Sequence, residues 1–229
     1  MKTKLLDNLL NLMFPNLCLV CGENLIGNEQ QICISCIYNI PKTNYHLKKD
    51  NPMDKKFWGK VPINACTAYF YFQKGSPYQK VIHSIKYRNN TEVGEILGKY
   101  AALDLLESVN FKNIDVIIPV PLHPQKFKSR GYNQSECIGK GLSTILEKPQ
   151  NTTSLIRVKE NTTQTKKNVF ERYENTEGIF ELAEKESLIG KHVLIIDDVL
   201  TTGSTIEACI KVLIKIEGIK ISVFTLAVA

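Results

Sequence analysis

Residues 192–208 read HVLIIDDVLTTGSTIEA. Two carboxylates, Asp197 and Asp198, stand just ahead of a turn made of Thr201, Thr202, Gly203, Ser204 and Thr205. The two halves suit different parts of one ligand. Hydroxyls and backbone amides at the start of a helix bind phosphate, and Gly203 lets the backbone approach closely. A phosphate repels the aspartates, which fit sugar hydroxyls or a magnesium-bound ligand instead. A sugar phosphate satisfies both halves. The alternative is an acidic turn followed by a well-capped helix.

A second stretch offers similar chemistry. After IDVIIPVPLH, the segment KFKSRGYNQSECIGKGL presents Arg130, Gly131, Asn133 and Gln134 in a loop before a helix. A bidentate guanidinium, a glycine and two side-chain amides there again suit phosphate. A third, polar and basic stretch runs from 159 to 175, and its region contains Arg157, Gln164, Arg172 and Asn175. Loops of this length inside a domain usually carry function. It reads as a flap over an anionic ligand, as a strip for nucleic acid, or as a plain insertion. Between residues 126 and 172 there are ten basic and four acidic residues, so this region holds the whole net charge of +6. A polyanionic partner follows, with an ordinary solvated surface as the alternative.

The N-terminal region carries a different chemistry. In CLVCGENLIGNEQQICISC, Cys18, Cys21, Cys33 and Cys36 form two C-x₂-C pairs. Four thiols at this spacing suit a closed, structural zinc site, with a redox pair or an iron–sulfur cluster as alternatives. Cys66, Cys137 and Cys209 stand alone among apolar or helical residues and read as core. Disulfides are not expected, because no signal peptide is recognised in the leucine-rich start. Leu5, Leu6, Leu9, Leu10, Met13 and Phe14 make an apolar stripe at helical spacing, expected to pack on the rest of the protein, with a membrane surface or partner as the lesser reading.

These groups need elements to position them. Val193–Ile196 reads as a strand buried on both faces, of the kind found in parallel sheets. Ile206, Cys209, Ile210 and Leu213 repeat at helical spacing behind a Ser204/Glu207 capping box, Gly218 ends that helix, and residues 219–228 read as a strand. The result is a βαβ unit, whose ligands bind at the carboxyl end of the strands. Residues 65–72 read as another strand. SPYQKVIHSIKYR reads as a helix capped by Ser76, whose His83 and Lys86 could face a ligand but more simply sit on a solvated face, and GEILGKYAALDLLESV as the next helix. PKTNYHLKKDNPMDKKFWGK is polar and reads as a linker, with His46 at the surface and a domain boundary near residue 60.

VLIIDDVLTTGST resembles the phosphoribosyl pyrophosphate (PRPP) loop of type I phosphoribosyltransferases. The whole chain resembles the ComF family of competence proteins, in order through the paired cysteines, IKYRNN, PVPLH with RGYNQ, Q…R…N before GIF, and the PRPP loop. The resemblance implies an α/β, type I phosphoribosyltransferase fold, with a parallel sheet flanked by helices, over residues 61–229. Residues 1–60 would hold the leucine-rich helix, a four-cysteine zinc-ribbon module and a linker. It implies PRPP with Mg²⁺ as ligand, Asp197 and Asp198 on the ribose, residues 201–205 on the 5′-phosphate, residues 130–134 on the pyrophosphate, and Gln164 and Arg172 in a flexible loop. The implied role is the handling of incoming single-stranded DNA in natural transformation. The implied location is cytoplasmic, extending to a peripheral place at the inner membrane beside other competence proteins. A phosphoribosyltransferase enzyme acting on a nucleobase or other acceptor is the second reading, with no nucleophilic side chain required. Tyr45, Phe57, Trp58, Tyr87 and Tyr132 are candidates for base stacking. No apolar run is long enough to span a membrane.

Overall fold

The structure is a computed structural model that describes residues 15–87, 90–159 and 178–229. The leucine stripe of residues 5–14 and the loop residues Gln164 and Arg172 lie outside the described residues.

A four-stranded, all-parallel sheet organises the chain in the order β1 (Ala65–Tyr71), β6 (Lys220–Val228), β5 (His192–Leu200) and β2 (Val116–Pro119). The strands are apolar almost without interruption because both faces are covered. Side chains alternate between the two faces. Leu194 and Ile196 join Phe70, Phe224 and Leu226 under α4 (Thr91–Leu106) and α6 (Gln134–Leu146). Val193 and Ile195 join Cys66, Val223 and the apolar face of α7 (Ser204–Leu213) on the other side. Gly98 and Gly141 let α4 and α6 pack closely, because a β-carbon on either would overlap backbone of the opposite helix. A two-stranded antiparallel ribbon, β3 (Leu155–Arg157) with β4 (Phe180–Leu182), lies apart from this sheet. A short helix, α1 (Ile34–Tyr38), carries the last of the paired cysteines, Cys36.

Several boundaries differ from the sequence reading. β5 runs through both aspartates to Leu200, paired with β6 at Asp197↔Thr225, Val199↔Ala227 and Leu200↔Val228. The helix after it is capped by Gly203 at φ 84°, with no side-chain cap. Glu207 pairs instead with Lys211 at 2.8 Å. That helix ends at Leu213, ahead of Gly218. Likewise α3 (Gln79–Tyr87) starts three residues beyond Ser76, after a tight turn in which the Gln79 amide donates to the Ser76 carbonyl. Arg130 does not lie in a loop: it ends a short helix, α5 (Pro124–Arg130), closed by left-handed Gly131.

The segment read as a linker is built structure. Asn51 caps α2 (Pro52–Lys55) in a capping box with Asp54. Both side chains also hold β1, through Asn51 Nδ2 to the Cys66 carbonyl and the Cys66 amide to Asp54 Oδ1. Met53, Phe57 and Val61 recur every fourth residue and are buried against the sheet. His46 is buried too, and burial holds its imidazole below the usual range.

Candidate functional site

An open cleft of about 460 Å³ lies at the carboxyl ends of the central strands. This is where a parallel α/β sheet binds ligands, since strand ends and helix starts leave polar backbone free there. Asp197, Asp198, Thr201 and Thr205 reach it from β5 and the following turn, Arg130 and Gln134 from α5 and α6, and Lys86 and Tyr87 from α3. The two polar segments found in the sequence therefore meet in one place.

Adjacent strand residues point to opposite sides, so the two aspartates have different surroundings. Asp197 Oδ1 accepts from Ser135 Oγ at 3.0 Å and from the Asp198 amide at 2.8 Å. Burial and the neighbouring Asp198 charge push its carboxyl well above the usual carboxylate range, against the pull of those two hydrogen bonds and of Lys86. Asp198 is 5 % exposed. Its Oδ2 stands 3.2 Å from the Lys86 ammonium yet has no aligned hydrogen-bond donor. A buried carboxylate oxygen with unused lone pairs is equipped for a hydroxyl or a cation. Lys86 is thus aimed at the acidic pair, not spread on a solvated face.

The turn at 201–205 is shaped by Gly203, whose left-handed backbone turns the chain from strand into helix. Thr202 Oγ1 and Ser204 Oγ lie 2.9 Å apart, and both residues keep solvent access. The α2 segment supports this turn from beneath. Lys56 Nζ donates to the Thr201 carbonyl at 2.6 Å, and the Phe57 ring lies against Gly203. The spacing of Met53, Phe57 and Val61 was the signal in the sequence for this support.

In the second segment the side chains divide. Arg130 Nη1 donates to Gln134 Oε1, and the guanidinium also lies over the Tyr87 ring at 5.7 Å. Asn133 is turned inward. Its Oδ1 accepts from the Ser135 amide and its Nδ2 donates to the Val120 carbonyl, so it ties α6 to the end of β2. Gly131 shapes the turn and does not line the cleft. Lys126 and Arg157 line it as well. Of the aromatic candidates, Tyr87 is 68 % exposed and stacks on His83 at 4.8 Å, and Trp58 is exposed. Phe57 is fully buried and unavailable to a base, while the Tyr45 and Tyr132 hydroxyls are engaged with Tyr71 and the Ile85 carbonyl.

The four N-terminal thiols lie within 4.8 Å of one another. A tetrahedral zinc thiolate site with bonds of about 2.3 Å sets its sulfurs about 3.8 Å apart, and Cys21 and Cys33 are 3.8 Å apart. Burial opposes ionisation of Cys18, but amides of Cys33, Cys21 and Val20 outweigh it and bring the thiol down to about 6. The donor set fits a structural metal. Cys66 and Cys209 are fully buried, as core cysteines should be.

A family model described as the phosphoribosyl transferase domain matches residues 133–229. Competence protein F of Haemophilus influenzae is 32% identical over 155 residues, covering 66% of this chain and 68% of that protein. DNA utilization protein YhgH of Escherichia coli K12 is 26% identical over 203 residues, covering 87% and 84%. Its Salmonella typhimurium counterpart is 27% identical over 225 residues, covering 89% and 93%. Among solved structures, a hypoxanthine phosphoribosyltransferase from Staphylococcus aureus aligns at 13% identity and a TM-score of 0.37, over 61% of this chain and 74% of that one. That likeness is too distant to place any residue.

Proposed function

The chain belongs to the family of Competence protein F, with a type I phosphoribosyltransferase fold behind a cluster of four cysteines, and from that membership we propose that it binds PRPP with Mg²⁺ and handles single-stranded DNA in natural competence. The observation that supports this most is the convergence of Asp197, Asp198, Thr201 and Thr205 with Arg130 in one cleft, while Thr202, Gly203 and Ser204 of the same turn do not line it. In this reading residues 61–229 form the ligand-binding domain and residues 1–60 the metal-holding module, with zinc on Cys18, Cys21, Cys33 and Cys36.

The chemistry assigns the parts. Amides and hydroxyls of Thr201, Thr202, Gly203, Ser204 and Thr205 hold the 5′-phosphate at the start of α7. Asp197 and Asp198 accept the ribose hydroxyls, and Asp198 Oδ2, which has no hydrogen-bond partner although Lys86 stands near it, can help hold Mg²⁺. Arg130, with Gln134 behind it, faces the pyrophosphate, whose charge the Mg²⁺ partly neutralises. Asn133 and Gly131 shape this subsite from behind. Tyr87, Arg130 and Lys126 at the rim offer a base an exposed ring and its phosphates two cations, the combination that binds single strands without reading sequence. Among the described residues no helix is long and apolar enough to cross a membrane.

The test is the anisotropy of a labelled single-stranded oligonucleotide, titrated with zinc-loaded protein at several salt concentrations, with and without PRPP·Mg²⁺. Binding that weakens as salt rises and shifts with PRPP supports the reading. No binding at low salt overturns its DNA half. Pyrophosphate release from PRPP with a nucleobase acceptor would instead make the protein a phosphoribosyltransferase enzyme.

A further inference from the structure

Helix α3 carries one wall of the cleft, and the segment bearing the four paired cysteines, the cysteine module, holds the chain on either side of that helix. Immediately before α3, the Tyr78 hydroxyl donates to the Cys36 carbonyl at 2.8 Å. Beyond its end, the Gln31 side chain joins two residues at the start of α4. Gln31 Nε2 donates to Glu92 Oε2, and Asn90 Nδ2 donates to Gln31 Oε1, each at 2.7 Å. The backbone of Gln31 is tied to the module as well. Its carbonyl accepts from the amide of Leu19, the neighbour of Cys18, at 2.8 Å, and its φ is 60°. A left-handed backbone is uncommon for a residue with a β-carbon and persists where the surroundings fix it.

Between these contacts the helix and the module share a core. Val81, Ile82 and Ile85 of α3 belong to one buried cluster with Val20, Ile32 and Cys36. The Tyr78 ring packs against the same cluster, 6.2 Å from the Phe70 ring of β1. A core packed this closely transmits a shift on one side to the other.

The last turn of α3 supports the 130–134 segment. The Tyr132 hydroxyl donates to the Ile85 carbonyl, one of those that a helix end leaves without an intrahelical partner. The Arg130 guanidinium lies over the Tyr87 ring at 5.7 Å, a contact that orients the cation on the ring face. The nine residues of α3 span about 13 Å, so one helix connects the module to Arg130. We propose that Gln31 and Tyr78 are positioning residues of the cleft: through α3 the cysteine module sets where Ile85 and Tyr87 stand, and through them how Arg130 meets a diphosphate. The part given to Arg130 rests on the function proposed above, whereas the path from the module to Arg130 does not. The consequence is selective. Ribose 5-phosphate has no diphosphate for Arg130, and its site on the aspartates and the 201–205 turn is held by β5 and by Lys56.

The test compares the full-length protein with Gln31→Ala/Tyr78→Phe, which removes these bonds and keeps the Tyr78 ring. Without ligand, hydrogen exchange across α3 is expected to be about tenfold faster in the variant, with the amides of β5 and β6 unchanged. Calorimetry is expected to show Mg²⁺·pyrophosphate bound about threefold or more weakly, with ribose 5-phosphate bound as before. In an Arg130→Ala background the two changes should cost no further pyrophosphate affinity. Unchanged exchange would overturn the proposal whatever the ligands do. Faster exchange with equal losses for both ligands, with no loss for either, or with a further loss in the Arg130→Ala background would overturn it too, because Arg130 would not be the group positioned. Faster exchange in α3 alone, with neither ligand bound by either protein, would support the path from the module to the cleft and overturn the phosphoribosyl reading instead.

Discussion

The ring of Phe57 lies 3.3 Å from the point where a β-carbon on Gly203 would stand. A buried aromatic from the segment before β1 thus forms the floor of the turn that starts α7. Lys56, next to it, holds the Thr201 carbonyl. The turn is fixed from below, which leaves its amides and hydroxyls on the upper side.

Gly203→Ala tests that floor. A left-handed conformation costs a non-glycine residue about 1–2 kcal/mol, and here the new methyl also meets the Phe57 ring. Thermal melts should show a loss of this order, and calorimetry should show PRPP·Mg²⁺ affinity reduced at least tenfold. Phe57→Leu keeps the apolar floor and should retain most of the affinity, while Phe57→Ala should not. Equal affinity in all three proteins would show that the turn needs no support.

Asp197 predicts a pH dependence. Its carboxyl is pushed up to about 7, first by burial and then by the charge of Asp198. The folded state keeps a proton that the unfolded chain releases near its ordinary value of about 3.9. Folding stability from this group is therefore lost as pH rises from about 4 to about 7, and the penalty stays constant above that. Asp197→Asn removes the penalty, since the amide oxygen can still accept from Ser135. Melts from pH 4.5 to 8.5 should show the variant gaining a few degrees over the wild type toward alkaline pH, while it loses PRPP affinity. Parallel melting curves would refute a raised carboxyl at this half-buried position.

The sequence showed these features unevenly. The β-branched runs of β2, β5 and β6 announced a parallel sheet because burial on both faces leaves no polar alternation. The cysteine spacing and the Asp-Asp-hydroxyl turn were legible because each is local. Lys86 was not, because a lysine on a helix looks the same whether it meets water or Asp198 across the fold. Asn133 looked like a ligand group, but its amide is consumed by Ser135 and Val120. The 51–61 segment was hidden by its lysines, although Met53, Phe57 and Val61 kept a four-residue spacing.

Loss of the proposed zinc should be felt beyond the module. Cys18, Val20, Ile32 and Cys33 belong to the same buried cluster as Tyr69 and Phe70 of β1. Without the metal, burial and the neighbouring thiols push Cys33 and Cys36 up, so they take up protons and nothing holds the four sulfurs together beside that shared core. Elemental analysis should find one zinc per chain, and a strong chelator should lower the melting temperature of the whole protein by several degrees. Cys36→Ser should behave like the chelated protein. A chelated protein with an unchanged melt would show that the module is thermodynamically separate.

Lys86 is the last group to test, because it competes with the proposed ligand for Asp198. Lys86→Met keeps the aliphatic stem and leaves Asp198, 5 % exposed, beside Asp197 without its cation. Removing one partner of a buried pair costs about 3–5 kcal/mol, toward the low end here because Lys86 keeps some solvent access. Mg²⁺ with PRPP would supply a replacement cation, so the variant should gain more thermal stability from PRPP·Mg²⁺ than the wild type does. In the free protein, Lys86→Met/Asp198→Asn should recover most of the loss, since the second change removes the stranded charge, and PRPP·Mg²⁺ should then stabilise it little. A double variant no more stable than Lys86→Met alone would show that the 3.2 Å approach carries no coupling.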